Sequence, residues 1–109
     1  MYLPKHFAEE RPEVLHELIR RRPLATLVTL SADGLVANSL PLLLVPEEGG
    51  RLFLRGHVAR ANPVWRESLP DVDVLALFQG DDAYISPSWY PAKAEHGRVV
   101  PTWNYVTVQ

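Results

Sequence analysis

The sequence predicts a small, mainly β domain, an antiparallel barrel with short helices at its edges. Three observations carry this expectation. Three β-rich runs follow one another, Leu24–Leu30, Leu35 to about Val45 and Arg51–Arg55, separated only by turn-forming residues. Helical patterns are few and short, and they do not alternate with strands as a doubly wound sheet requires. The chain has 109 residues, 47% of them apolar, which suits one core and a single domain over residues 1–109.

Pro12–Arg22 reads as the first helix. Proline fits the first helical turn, Glu13 there complements the helix dipole, and Val14, Leu15, Leu18 and Ile19 recur at helical spacing. Arg20, Arg21 and Arg22 load its last turn and Pro23 stops it. Ser31–Gly34 is a turn between the first two strands, because Asp33-Gly34 tolerates positive φ. Pro41 marks the second run as an edge or a bulge. Pro46–Gly50 turns into the third run. Pro63–Leu69 reads as a short helix ended by Pro70. Val72–Phe78 is a fourth strand, Asp81-Asp82 a turn, Ala83–Ser86 a fifth strand and Thr102–Gln109 a sixth. Between Pro87 and Pro101 the chain reads as irregular.

Charge and composition narrow the function. A formal net charge of −2 gives no electrostatic footprint for nucleic acid. Arg20–Arg22 form the one basic cluster, and dipole complementation with solvation explains it better than DNA contact. With no cysteine, disulfides, thiolate metal sites and cysteine nucleophiles are excluded. Met1–Glu10 lacks the apolar run of a signal peptide, and Leu40–Val45, the longest apolar stretch, is too short to cross a bilayer. A soluble cytoplasmic protein without membrane contact is expected.

Gly56–Pro63 is the most informative segment. It joins a strand to a helix start, where amides without helical partners favour an anion. Arg60 adds a fork of donors for phosphate, and His57 another donor. Asn62-Pro63 also reads as an ordinary cap and first-turn pair needing no ligand. Aromatic residues form a second group: Tyr84, Trp89, Tyr90, Trp103 and Tyr105. They suit stacking on a planar ligand or on a partner, and equally the closing of a barrel end. Metal, nucleophile-elbow and nucleotide-loop motifs are missing, so no metal site is expected.

Several segments in order resemble the PaiB family of FMN-binding negative transcriptional regulators. They are Met1–Phe7, Leu24–Val28, Leu40–Leu44, Gly56–Pro63, Phe78–Gly80, Tyr84–Tyr90 and Val100–Tyr105. The resemblance implies a split barrel like that of the pyridoxamine-phosphate-oxidase-like flavoproteins, usually a homodimer with FMN between subunits. It implies phosphate held by His57, Ala59, Arg60 and Asn62, and a flavin ring along Asn38, Ser39 and Leu40, with Gln79 and Trp103 as further contacts. Family members continue beyond the matched region, so a barrel lacking C-terminal strands and helices is expected.

Three functions stay open at this point. One is an FMN-binding regulator acting indirectly or as a flavin sensor; without a visible helix-turn-helix, direct DNA binding by this segment is not expected. Another is an FMN-dependent oxidoreductase, for which no catalytic acid stands out beyond His57. The last is a cofactor-free dimeric interaction module. Haem ranks below FMN, since only His57 offers an axial ligand.

Overall fold

The computed structural model describes all residues, Met1–Gln109. Helix α1 spans Pro12–Arg21. Strands β1 (Leu24–Ser31) and β2 (Gly34–Pro41) form a hairpin, and β3 (Leu43–Pro46) and β4 (Leu52–Arg55) form a second. Helix α2 (Val64–Glu67) precedes β5 (Leu75–Ile85), and α3 (Pro91–His96) precedes β6 (Thr102–Val108). The protein is mainly β, as its sequence predicts. The four-stranded sheet runs β2-β1-β5-β6, every pair antiparallel, and β3–β4 stands apart as a two-stranded sheet.

The first hairpin follows directly from its turn chemistry. Ser31 pairs with Gly34 across a two-residue loop, Gly34 sits at φ +117°, and the Asp33 amide donates to Ser31 Oγ. Before α1, Glu9 receives the Arg11 guanidinium and the Arg11 amide. These bonds, the side-chain ones foremost, hold the Glu9 carboxyl down at about 2.

Alternation along the strands sorts residues onto two faces. Ala25 (1% exposed), Thr29 and Phe78 (2%) point inward. Ile19 from α1 and Leu42 join Ala25 and Phe78 in the core. The row Asn38–Leu27–Ala76 lies on this inner face, and the row Ser39–Thr26–Leu77 lies on the outer face.

Several sequence expectations need correction. The second run is two strands, not one: Pro41 has no N–H for a ladder, the Leu42 amide turns to Pro23 O, and its side chain enters the core. Asp81-Asp82 is no turn. The strands expected on either side of it are one, β5, with a bulge between Gln79 and Asp82. Tertiary packing fixes that bulge, because α1 and β6 close on Gly80: a Cβ there would meet Leu18 and Val106. Val72–Val74 precede β5 instead of forming its start. The expected helix Pro63–Leu69 shrinks to the single turn α2. Ser68 leaves the helix with its hydroxyl donating to Val64 O. Between Pro87 and Pro101, Pro87–Trp89 make a 3-10 turn and α3 ends at Gly97 in the left-handed region.

The sheets do not close into a barrel. The radius of gyration is 18.5 Å, against about 13 Å for a compact chain of this length. Accessible surface is 8879 Å², where a compact monomer of this mass exposes about 6,100 Å². No helix is long and apolar enough to cross a membrane.

Candidate functional site

The segment between β4 and α2 is anchored at both ends and bare in the middle. At its start Gly56 lies flat against the β2–β3 corner, where any Cβ would come within 2.6 Å of Leu42 Cδ2 and 2.9 Å of Pro41 O. At its end Asn62 Oδ1 accepts from the Val64 amide at 3.0 Å, an Asx turn that starts α2. The Asn62 backbone amide donates to Ala59 O, and Trp65 Nε1 donates to Arg60 O at 3.3 Å.

Between these anchors the backbone amides of His57, Val58, Ala59, Arg60 and Ala61 donate to no protein acceptor. The side chains of His57 and Arg60 are exposed beside them. Successive free amides next to a guanidinium are donors that an anionic group can use. Donors come from the loop and not from the helix terminus that the sequence singled out. One turn of helix has little dipole, and Asn62 already uses the Val64 amide.

Asn38 of β2 lies against this loop, its Oδ1 accepting from Asn62 Nδ2 at 2.8 Å. Its own Nδ2 is buried and has no partner, an uncommon state for a polar atom. The free amides of the loop, with the exposed Arg60 and His57 side chains beside them, leave donors for an oxygen-rich anionic group such as the phosphate of FMN.

The other sequence-predicted residues lie elsewhere. Ser39 and Gln79 share a cavity of about 540 Å³ on the outer face with Thr26 and Thr107. Gln79 Nε2 donates to Asp82 Oδ2 at 3.1 Å, so the Gln79 carbonyl oxygen is left to accept. The bulge keeps Gln79 and Asp82 on one face, and that face continues to Trp103, whose ring meets Tyr84 edge-on at 5.8 Å between centroids. Leu40 packs on the inner core. Asn38 and Ser39 are neighbours facing opposite sides of edge strand β2, so the loop and the cavity lie on opposite sides of that strand.

The sequence reading missed Thr26, Thr107 and Trp65. For the threonines the signal was alternation within β1 and β6, legible only once the strand pairing is known. For Trp65 it was an aromatic residue directly after the loop. No group of three His, Asp or Glu side chains gathers as a metal site.

Comparisons with known proteins place the chain in a family. The family model described as "Putative FMN-binding domain" matches residues 1–109. The "Protease synthase and sporulation protein PAI 2" of Bacillus subtilis is 37% identical over 108 residues, covering 99% of this chain and 49% of that protein. "Uncharacterized protein YKL070W" of Saccharomyces cerevisiae is 33% identical over 127 residues, 99% of this chain and 74% of that protein. "Uncharacterized protein AN0679" of Emericella nidulans is 33% identical over 135 residues, 100% of this chain and 54% of that protein. The chain therefore spans about half the length of the Bacillus and Emericella relatives. Matched from first residue to last, it belongs to this FMN-binding domain family and is of the PaiB type.

Proposed function

We propose that the chain is an FMN-binding module whose phosphate subsite is the loop His57–Ala61. One observation carries the reading: five successive amides without protein acceptors, flanked by the exposed Arg60 guanidinium. FMN, when bound, supplies the redox and optical chemistry, and the protein holds and orients it. Arg60 and His57 pair with phosphate oxygens. Across β2, the cavity with Ser39, Thr26, Gln79 and Thr107 takes the ring; its volume of about 540 Å³ lies within the usual range for ligand pockets. Gln79, pinned by Asp82, offers its oxygen to the imide N–H of the flavin. Trp103 and Tyr84 supply flat surface further along.

The ring face is open to solvent, and we take the second wall to be another copy of the chain, with flavin between subunits. The exposed rings of Trp103 and Tyr105, on the same face of β6 as Thr107, support this. In a PaiB-type protein the regulatory role is then indirect or flavin-sensing, since α2 and α3, of 4 and 6 residues, are short for a recognition helix and α1 leads into strand β1 instead of a second helix.

An absorbance spectrum of the purified protein tests the reading. Flavin bands that remain with the protein through gel filtration support it, and a colourless protein that ignores added FMN overturns it. Bleaching of those bands by a reduced nicotinamide nucleotide separates an oxidoreductase from a sensor. Arg60→Ala is expected to weaken FMN binding by about 1–3 kcal/mol, the range of a charge-assisted hydrogen bond. Equal affinity in variant and parent removes Arg60 from the site.

A further inference from the structure

The structure assigns Asn38 and Asn62 a positioning role: together they latch the bare loop to strand β2. Both were expected to touch the ligand, but their hydrogen bonds point to each other. Asn62 commits both polar atoms of its side chain to the protein, its Oδ1 accepting from the Val64 amide at 3.0 Å and its Nδ2 donating to Asn38 Oδ1 at 2.8 Å. The two residues are 24 apart in sequence, and this is the one side-chain hydrogen bond joining the loop's C-terminal end to the four-stranded sheet.

The loop needs such a tie. Between Gly56 and Asn62 its amides make no bond to either sheet, and a segment without such bonds opens at low free-energy cost. The Gly56–Leu42 contact fixes one end by packing. The Asn38–Asn62 bond fixes the other, and because Asn62 also starts α2, loop and helix move with it. Asn38 adjoins Ser39, so the latch also sets the loop relative to the residue that faces the outer cavity. Its consequence for ligand binding rests on the phosphate site proposed above. Ordering a loop beforehand removes part of the entropic cost of binding.

Two substitutions break the latch and leave the turn into α2: Asn38→Ala, and Asn62→Ser, whose hydroxyl still accepts from Val64. In ligand-free protein, ¹⁵N relaxation of the His57–Ala61 amides reads the latch with no flavin present. Both variants are expected to make these amides more mobile while β1 and β5 stay as ordered as in the parent. Loop amides unchanged in either variant overturn the inference. Affinities for FMN and for riboflavin, which lacks the phosphate, read the consequence. Each variant should lose about fivefold in FMN affinity, the net size of one hydrogen bond, and nothing in riboflavin affinity. The double variant should lose no more than either single one. Equal losses for both flavins, or losses that add, show a general effect on the fold and overturn the positioning role. A parent that binds FMN no better than riboflavin sinks the phosphate site itself, and the relaxation result still decides the latch.

Discussion

Single residues in this protein divide by what their polar atoms are free to do. Arg60 and His57 project into solvent beside unpaired amides, whereas Asn62, three positions from Ala59, is consumed by the fold. All four belong to one sequence segment, in which Arg60 and His57 read as phosphate donors and Asn62 as a helix cap, and the family resemblance added Ala59 and Asn62 as contacts. What separates them is Asn38, far away in sequence, and only the pairing of β1 with β2 brings it near. Ser39 and Gln79 met in one cavity for the same reason, since the residues linking them, Thr26 and Thr107, carry no motif of their own. Gly80 is another residue whose reason is tertiary. Its missing Cβ makes room for the Val106 and Leu18 side chains, so Gly80→Ala must displace the Val106 side chain and crowd Leu18. A loss of about 1–3 kcal/mol is expected, typical of overpacking. Urea unfolding reads it directly, and a midpoint equal to the parent's would show that β6 does not pack there.

Secondary elements were most legible where local chemistry suffices. The β1–β2 turn follows from Asp33-Gly34, α1 from its proline start and apolar spacing, and β6 from its β-branched and aromatic run. Errors gathered where a distant partner overrides the local signal. Two acidic residues in a row look like a turn, yet pairing with β6 carries the strand straight through them and absorbs the extra residue as a bulge. The apolar run through Leu40–Val45 looks like one strand, yet the core site for Leu42 bends it. The bulge puts Asp82 on the same face as Gln79, where the Gln79 carboxamide donates to it.

At the scale of the whole molecule the main feature is openness. Its radius of gyration of 18.5 Å, against about 13 Å for a compact chain, leaves β4 with an exposed edge and β6 with exposed aromatic side chains. Large exposed apolar area marks an interface. Sedimentation equilibrium is expected to give twice the chain mass at micromolar concentration. A monomer at every concentration, flavin present or not, would rule out a ring held between subunits. The mainly β class was legible in the sequence because alternation and turns are local. The strand order was not, since the third run leaves the first hairpin to pair with β3 and β5 takes its place beside β1. Neither was the openness, because both depend on how sheets meet. The central claim is that the loop between β4 and α2 grips a phosphate, and an amide-resolved NMR titration reaches it most directly. Adding FMN should shift His57–Ala61 and the Trp65 indole, whereas riboflavin should leave them in place. Loop signals that stay still under saturating FMN, or that riboflavin moves as far, contradict it.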